Sequence, residues 1–225
     1  DILDIGGEST RPGAEPVGVQ EELDRVLPVI DAIRAAGIAT PISIDTMKPL
    51  VAHQALEAGA DMINDVNGLL GAPEMAEIAA VFDAPVIAMH WDRDWTAETD
   101  PIPAMSGRFQ NTLAIAARAG IEASRIILDP GFGFTKTLTQ NYSILRQITD
   151  LTQAFPSNAM LIGTSRKSMI GKLLDNQPSE RLAGTLATTV QGYERGGHIF
   201  RVHDVAPNRD ALRVAEATLY GPPQN

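Results

Sequence analysis

The chain has 225 residues, of which 44% are hydrophobic and 20% charged, a globular composition that excludes a disordered tail, a fibrous repeat and a peptide hormone. The formal net charge of −10 argues against a nucleic-acid partner, and no uncharged apolar run approaches the ~18 residues of a membrane span. Because cysteine is absent, a disulfide framework, a thiolate zinc site and a cysteine nucleophile are excluded, and we expect a cytoplasmic protein.

Seven short apolar runs recur along the chain, each followed by a polar or glycine-rich turn. The runs are continuous rather than alternating, which is typical of strands buried on both faces of a parallel sheet. We therefore predict seven β strands, at Ile2–Ile5, Ile42–Ile44, Met62–Ile63 with Val66 beyond it, Val86–Met89, Ile126–Leu128, Met160–Ile162 and Ile199–Val202.

Apolar residues at helical spacing fill several of the segments between these runs. Residues 23–33 show this spacing, and the pattern stops at Gly37. Pro28 lies inside the segment, so we expect the helix to be kinked there or to start late. Two further helical faces are formed by Val51, Ala55 and Ala58 and by Leu212, Ala215 and Leu219, and the tail at 221–225 is expected to be loose.

Repeated strand–helix units predict a parallel sheet with right-handed crossovers. Both a doubly wound sheet and a TIM-type (β/α)8 barrel satisfy this pattern. Polar residues follow nearly every strand rather than one switch point, which favours the barrel, whose active site lies at the carboxyl ends of its strands. We therefore expect residues 1–220 to form a single α/β barrel domain, with the first β–α unit missing because seven strands are one short of eight.

The polar residues at the strand ends fall into two chemical groups. Two carboxylates and an amide can accept hydrogen bonds from the N–H donors of a flat heterocycle. Cationic side chains bind the oxygens of phosphate or diphosphate. In a barrel both groups would face one pocket, which suits a heterocycle joined to a phosphate leaving group. The acceptors are Asp45, Asn64 and Asp129, and the cations are Lys167, Arg201 and His203.

Each of these residues also has a structural interpretation. Asp45, Asn64 and Asp129 could be N-caps of the helices that follow their strands, since Asp and Asn favour that position. Arg166–Lys167 could be a solvated surface pair, and the alternation in Arg201–His203 could mark a surface face. The recurrence of polar residues at successive strand ends favours the functional interpretation.

Seven stretches, in order and at matching spacing, resemble bacterial dihydropteroate synthase along nearly the whole chain. They are Asp4–Gly13, Ser43–Thr46, Ile63–Val66, Met89–His90, Leu128–Phe134, Ser165–Gly171 and Arg201–Val205. The resemblance implies a TIM-type barrel that condenses 6-hydroxymethyl-7,8-dihydropterin diphosphate with 4-aminobenzoate to 7,8-dihydropteroate and diphosphate. It also implies a step of folate biosynthesis that sulfonamides inhibit, Mg²⁺ as a cofactor, and a homodimer.

The same resemblance assigns roles to the matching residues. It implies that the pterin is bound by Asp45, Asn64, Asp129, Lys167, Gly163 and Met89, and the diphosphate by Asn64, Arg201 and His203. It implies that 4-aminobenzoate is bound by Thr10, Arg11, Pro12, Phe134, Lys167 and Ser168. The residues expected to act in catalysis are Lys167, Asp45, Asp129, Arg201 and His203.

The mechanism that the resemblance implies is dissociative and forms no covalent enzyme intermediate. The C–O bond to diphosphate breaks first, the pterin ring stabilises the cation on its exocyclic methylene group, and the amine of 4-aminobenzoate then attacks. The carboxylates favour the developing positive charge, while Arg201, His203 and Mg²⁺ stabilise the departing diphosphate. Mg²⁺ is expected on phosphate oxygens and water, and no ligand for it is expected in this chain, because the family's Asn ligand belongs to the missing N-terminal unit.

Two stretches depart from the family pattern. Trp91–Met105 replaces a common loop that contains Met-x-Gly, and it could form a lid or a surface loop anchored by its two tryptophans. Thr135 stands where family members commonly have Gly.

Three functions therefore stay open: a synthase, a related pterin-dependent methyltransferase, and an inactive pterin-binding fragment. Residues 165–168 and 10–13 favour the synthase over the methyltransferase, because a methyl carrier needs no aminobenzoate slot. The missing unit favours the fragment, so we expect the 225-residue chain to turn over poorly and an added N-terminal β–α unit to restore turnover.

Overall fold

The computed structural model describes residues 1–10 and 13–223. The chain divides into two compact units, a first unit of Asp1–His90 with Phe109–Ile127 and a second unit of Trp91–Arg108 with Leu128–Asn225. One barrel domain over residues 1–220 stays a prediction, and Gln224 and Asn225 of the expected loose tail lie outside the described residues. Within the described part of the chain, no helix has the length and apolar character needed to cross a membrane.

Strands and helices alternate along the chain, as the β–α pattern predicts. The strands are β1 (Leu3–Gly6), β2 (Ile42–Asp45), β3 (Met62–Asp65), β4 (Val86–Met89), β5 (Ile126–Asp129), β6 (Leu161–Ile162) and β7 (Ile199–Phe200). The helices are α1 (Val19–Ala35), α2 (Pro49–Glu57), α3 (Glu74–Val81), α4 (Pro101–Arg118), α5 (Leu138–Arg146), α6 (Ile148–Ala154), α7 (Ser168–Leu174), α8 (Leu182–Glu194) and α9 (Val205–Tyr220). Each of the seven predicted apolar runs overlaps one strand.

The two faces of the sheet of the first unit differ in polarity. Its strands β1 to β4 pair in parallel in chain order, and β5 follows β4 in that order. Ile42 and Ile44 of β2 and Ile63 of β3 are fully buried. Successive residues of a strand point to opposite faces, so Ser43 and Asp45 lie on the face opposite these isoleucines. At the carboxyl end of the sheet, Asp45 and Asn64 therefore lie on one face, whereas Asp65 of β3 lies on the isoleucine face.

The strands of the second unit are shorter. Here β6 and β7 pair in parallel over two residues each, and Leu128 forms a single parallel bridge to Met160, just before β6. Strand β7 ends at Phe200, two residues before the predicted end, because its ladder with β6 is that short. The Arg201 N–H still donates to the Ile162 carbonyl at 3.1 Å, so the chain stays beside β6 as far as Arg201.

Helix α1 runs through its internal proline. It begins at Val19 and continues past Pro28, so the predicted late start is wrong. Leu23, Val26 and Ile30 are buried along one side of the helix, whereas Pro28 is exposed. Proline leaves one carbonyl of the preceding turn without its helical partner, and water can hydrate that carbonyl at an exposed position. Burial of the apolar side then keeps the helix continuous. The other two predicted helices are present as α2 and α9.

Candidate active site

Asp45 and Asn64 end neighbouring strands of the first unit. They are register partners across β2 and β3, so their side chains leave the same face of the sheet. Gly6 is the partner of Asp45 on β1, and a Cβ at Gly6 would lie 3.2 Å from the Asp45 Cβ. The missing side chain of Gly6 therefore leaves space beside the Asp45 carboxylate. Two of the predicted pterin acceptors are thus adjacent in the structure.

Asp4, to which no sequence pattern assigns a role, orients Asn64. Asn64 Nδ2 donates to both carboxylate oxygens of Asp4, at 3.2 and 3.3 Å, and Ser43 Oγ donates to the same carboxylate. With its NH₂ group held by Asp4, Asn64 presents its Oδ1 as a hydrogen-bond acceptor. The available signal was a carboxylate inside an apolar run, which is costly unless its hydrogen bonds are satisfied.

Met89 and His90 follow one another at the end of β4, and both are buried. Asn64 pairs in register with Ile87, so Met89, two residues further on, leaves the same sheet face as Asn64. The His90 ring meets Phe109 of α4 edge-on, with 6.1 Å between the ring centroids. Met89 therefore shares a face with the predicted acceptors, whereas His90 packs against α4.

Asp129 ends β5 and is buried. Its Oδ1 accepts the Gly131 N–H at 2.7 Å. Burial raises the pKa of Asp129, and the hydrogen bond from Gly131 together with the charges of Lys167, Arg201 and Lys136 opposes that rise. Within the second unit, Asp129 therefore lies in a positive electrostatic field that favours its ionised form.

Gly163, which follows β6, lies beside the Asp129 carboxylate. A Cβ at Gly163 would be 4.0 Å from Asp129 Oδ2. A larger side chain at this position would occupy the space next to that oxygen. The structure therefore brings together Asp129 and Gly163, two residues that the resemblance assigns to the pterin.

Lys167 packs on Phe134. Its Nζ lies 4.5 Å from the centroid of the Phe134 ring, a cation–π contact. Its Cδ would lie 3.2 Å from a Cβ at Gly133, a residue whose φ of +81° also favours glycine. Ser168 follows Lys167 directly as the first residue of α7 and is exposed. Two of the predicted aminobenzoate residues, Lys167 and Phe134, are thus in contact.

Two side-chain contacts join the chain after β6 to the chain after β7. Ser165 Oγ lies 3.0 Å from His203 Nδ1 and accepts the His203 backbone N–H at 3.2 Å. Arg166 forms a two-point ion pair with Asp204, with Nε–Oδ2 at 3.1 Å and Nη2–Oδ1 at 2.7 Å. The interpretation of Arg166–Lys167 as a freely solvated pair is therefore wrong for Arg166. His203 and Arg201 are both exposed.

The capping interpretation of the three acceptors is wrong. Asp129 accepts a hydrogen bond within the turn that follows β5, and Asn64 donates to Asp4. The N-caps of the helices that follow their strands are Lys48 for α2, Pro73 for α3 and Thr137 for α5. Asp45, Asn64 and Asp129 are therefore not used to start these helices.

The stretch that contains Thr10 is closed at its ends by Glu8 and Val17. Glu8 Oε1 accepts the Val17 N–H at 2.9 Å, and the same carboxylate pairs with Lys48. Thr10 is half-buried. Arg11 and Pro12, which the resemblance assigns to 4-aminobenzoate together with Thr10, lie outside the described residues.

Trp95 anchors the Trp91–Met105 stretch on α5. Its ring is buried, and its indole N–H donates to Gln140 Oε1 at 3.0 Å. Gln140 Nε2 in turn donates to the Thr96 carbonyl at 2.8 Å. The structure therefore favours the anchored-loop interpretation of this stretch, and its last residues, from Pro101, belong to α4.

Lys136 is a buried lysine to which no sequence pattern assigns a role. Its Nζ donates to the carbonyls of Gly131 at 3.0 Å and Phe134 at 3.2 Å, and it lies 5.2 Å from the centroid of a Trp95 ring. Burial lowers the pKa of Lys136 to about 7, although the carboxylate of Asp129 opposes the shift. Lys136 therefore closes the turn that carries both Asp129 and Phe134.

Burial of Lys136 should make stability depend on pH. Below about pH 7, Lys136 is protonated in the folded and unfolded chain, and the cost of burying its charge is fully present. Between that pH and the ordinary pKa of 10.5, only the unfolded chain keeps the proton, so the free energy of unfolding rises with pH. We expect this contribution to be on the order of 2 kcal/mol between about pH 7 and pH 9, and Lys136→Met to remove it.

Urea unfolding of the wild type and of Lys136→Met across this pH range measures the effect. The exposed Lys172→Met variant is the matched control and should keep the wild-type slope. Equal pH slopes in the wild type and in Lys136→Met would contradict the expectation.

The described residues do not fit a protein-held magnesium ion. Across residues 1–10 and 13–223, no group of three or more His, Asp or Glu side chains is placed to hold a metal. The one deeply buried site carboxylate of the second unit, Asp129, already interacts with the positive charges of Lys167, Arg201 and Lys136. These cations would compete with a metal ion for that carboxylate.

The family model and the relatives that match this chain agree on one family. Residues 1–203 match the family of pterin binding enzymes. The chain is 46% identical over 224 residues to a dihydropteroate synthase of Synechocystis sp., with 96% of this chain and 76% of that protein covered. It is 44% identical over 224 residues to a dihydropteroate synthase of Escherichia coli, with 97% and 78% covered.

Solved structures share the fold. A dihydropteroate synthase of Clostridium difficile, determined in the presence of pteroic acid, matches with a TM-score of 0.93 and 43% identity, covering 98% of this chain and 82% of that chain. The enzyme of Xanthomonas albilineans with 4-aminobenzoic acid matches with a TM-score of 0.93 and 41% identity, covering 99% and 80%. The enzyme of Yersinia pestis in a sulfonamide drug complex matches with a TM-score of 0.91 and 39% identity, covering 97% and 80%. The TIM-type α/β fold class and the family resemblance are thereby confirmed.

Proposed function

The chain belongs to the family of pterin-binding enzymes, and we propose that it carries out the dihydropteroate synthase reaction with polar residues at the carboxyl ends of its strands. The activity is that of a transferase of folate synthesis. The observation that carries the residue assignment is that the acceptors are held by specific contacts. Asn64 is oriented by Asp4, and Asp129 is fixed by the Gly131 N–H close to Lys167.

The proposed pterin ligands are those with acceptors suited to ring N–H donors. The Asn64 Oδ1 and the carboxylates of Asp45 and Asp129 accept hydrogen bonds from the amino group and ring nitrogens. The positive charges of Lys167, Arg201 and Lys136 near Asp129 and the adjacent register positions of Asp45 and Asn64 support these roles. The remaining proposed pterin contacts are made by Met89, Gly163 and Lys167.

The proposed diphosphate ligands are Arg201 and His203, with Asn64. Both cationic residues are exposed and lie after β7, where a charged leaving group can reach them. The contact between Ser165 Oγ and His203 Nδ1 supports this assignment, because it fixes the orientation of the imidazole ring. Together the two side chains stabilise the negative charge that grows on the leaving group.

The proposed reaction breaks one bond before it forms the next. The C–O bond to diphosphate breaks and its electron pair leaves with the diphosphate, so the exocyclic methylene group becomes cationic. The carboxylates of Asp45 and Asp129 favour this positive charge. The amine nitrogen of 4-aminobenzoate then forms the new C–N bond and loses one proton to solvent. The protein contributes orientation and electrostatic stabilisation and forms no covalent bond to substrate.

The proposed aminobenzoate site is built around Phe134 and Lys167, whose cation–π contact supports the assignment. Ser168 follows directly as the first residue of α7. Thr10 completes the set with Arg11 and Pro12, which lie outside the described residues.

The proposal extends to the cofactor, the location and the assembly. We place Mg²⁺ on the diphosphate substrate and water rather than in a protein site, because phosphate oxygens are its usual partners.

We place the protein in the cytoplasm as a homodimer. Apolar side chains on α7 and α9 support self-association, since Leu173, Val214 and Tyr220 are exposed. Light scattering of the purified protein should give twice the chain mass, and a monomer at micromolar concentration would contradict the homodimer.

A direct assay of product formation tests the function. The chain is incubated with dihydropterin diphosphate and 4-aminobenzoate, and dihydropteroate is detected by chromatography. The account predicts product in the presence of both substrates and none when either is omitted. Pterin binding without product would support the non-catalytic alternative, and methyl transfer from a methylated pterin would support the methyltransferase.

A further inference from the structure

A lysine and two glutamates of the first unit form a mostly buried cluster that no step of the proposed reaction uses. Lys48 Nζ lies 2.5 Å from Glu8 Oε2 and 2.5 Å from Glu22 Oε2. The Glu22 side chain is fully buried, and its Oε1 accepts no hydrogen bond from residues 1–10 and 13–223. Burial lowers the pKa of Lys48, but its hydrogen bonds to Glu22 and Glu8 outweigh that effect and raise it, so the ammonium group stays charged.

The cluster joins three separate parts of the chain. Glu8 follows β1, Glu22 lies on α1, and Lys48 is the N-cap of α2. The Lys48 backbone N–H donates to Thr46 Oγ1 at 3.1 Å, so Lys48 belongs to the turn that directly follows Asp45. One ammonium group therefore ties the segment after β1 to the strand end that carries the proposed pterin ligand Asp45.

The segment after β1 begins in close contact with α1. A Cβ at Gly7 would lie 2.9 Å from Glu22 Cγ and 3.0 Å from the Glu22 carbonyl oxygen, so glycine is needed for this close approach. Arg25 of α1 also donates from Nη1 to the Gly7 carbonyl at 2.7 Å. The chain therefore leaves β1 along a path that α1 fixes.

Glu8 uses both oxygens of its carboxylate. Oε2 pairs with Lys48, and Oε1 accepts the Val17 N–H at 2.9 Å. Val17 is nine residues further along, so the carboxylate holds the returning chain beside its start. Thr10 comes two residues after Glu8 and is half-buried. The position of Thr10 therefore depends on Glu8, and the position of Glu8 depends on Lys48.

Burial of these charges is a poor source of stability. Removing ionised groups from water costs free energy, and replacing a buried ion pair with apolar residues of similar volume is often neutral or stabilising. The Glu22 oxygen that accepts no hydrogen bond from the described residues adds to this cost. What the ion pairs supply instead is a defined geometry between Glu8 and the turn after β2.

We propose that Lys48 is a positioning residue, which acts through Glu8 to set the place of Thr10 relative to the Asp45 strand end and so supports the binding of 4-aminobenzoate. The inference rests on the proposed function, because it takes Thr10 as a contact of 4-aminobenzoate. Lys48 itself touches neither substrate. Its loss should therefore weaken the binding of 4-aminobenzoate and leave that of the pterin largely unaffected.

The double variant Glu22→Met with Lys48→Met tests the proposal, because it replaces the buried ion pair with apolar side chains of similar volume. We expect its free energy of unfolding in urea to equal or exceed that of the wild type. The KM for 4-aminobenzoate should rise about tenfold, whereas kcat and the KM for dihydropterin diphosphate should stay within about twofold. The matched control is His53→Met with Glu57→Met, an exposed pair of α2, which should keep wild-type values.

Glu8→Gln is a milder test that leaves the pair between Lys48 and Glu22 in place. Glutamine has one acceptor oxygen where Glu8 uses two, so it can accept from Lys48 or from the Val17 N–H but not from both. The KM for 4-aminobenzoate should rise about threefold, with the urea midpoint of unfolding unchanged. Glu15→Gln, which changes an exposed glutamate between Glu8 and Val17, is the control and should behave as wild type.

The outcomes separate the proposal from the function on which it rests. An unchanged KM for 4-aminobenzoate in both variants would overturn the proposal and leave the synthase activity standing. An equal rise in both KM values would also overturn it, because the cluster would then support the site as a whole. Lower stability of the double variant, together with wild-type kinetics of Glu8→Gln, would assign the cluster to folding and overturn it as well. Absence of dihydropteroate from the wild type would instead overturn the proposed function, and the role of Lys48 with it.

Discussion

Replacement of Asp129 by Asn should abolish measurable binding of dihydropterin diphosphate, with a loss of affinity of about 100-fold or more. The Asp129 carboxylate is buried and offers two acceptor oxygens, one of which already accepts the Gly131 N–H. An Asn side chain replaces one oxygen with an NH₂ group, which opposes the ring N–H donors instead of accepting from them. It also removes the negative charge that favours the cation on the methylene group.

Isothermal titration calorimetry of wild type and Asp129→Asn measures this loss. Asp150→Asn, an exposed carboxylate of the same unit, is the matched control and should keep wild-type affinity. Because burial raises the pKa of Asp129, its carboxylate takes up a proton at a higher pH than an ordinary Asp. Pterin affinity should therefore fall on acidification through that raised pKa. Wild-type affinity in the Asp129→Asn variant would show that Asp129 does not bind the pterin.

Replacement of Lys167 by Ala should lower kcat/KM by about 100-fold or more, the second-largest effect that we expect. Lys167 is assigned to both substrates. Its ammonium group contacts the Phe134 ring and interacts electrostatically with the Asp129 carboxylate. Alanine removes this charge and leaves the Phe134 face uncovered. Dihydropteroate formation by the purified variant, with circular dichroism to confirm folding, measures the loss.

Lys172→Ala is the control for Lys167→Ala, because Lys172 is an exposed lysine of the helix that begins one residue after Lys167. It should retain wild-type turnover. Wild-type turnover in Lys167→Ala itself would show that Lys167 does not contact the reacting substrates.

The strands could be predicted from the sequence because burial on both faces leaves an apolar run. Val86–Met89 is the clearest case, since its predicted and observed bounds coincide and all its residues are buried. The predicted end of β2 fell one residue short, at Ile44, because Asp45 is polar and still pairs in register with Asn64. Strand ends that carry polar site residues are therefore places where an apolar pattern gives the wrong boundary.

The contacts that organise the site could not be predicted from the sequence. Asp4 and Asn64 are 60 residues apart, and Trp95 and Gln140 are 45 apart, so neither pair lies within the range of a local pattern. Lys136 resembles an ordinary loop lysine until the turn folds around its ammonium group. These residues have in common that their role depends on tertiary contacts rather than on spacing.

A crystal structure of the chain with bound pteroic acid tests the central claim most directly. The account predicts hydrogen bonds from the pterin ring to the carboxylates of Asp45 and Asp129 and to Asn64 Oδ1, with the Lys167 ammonium group in contact with the ligand. Density for the pterin at any location away from these four side chains would contradict it.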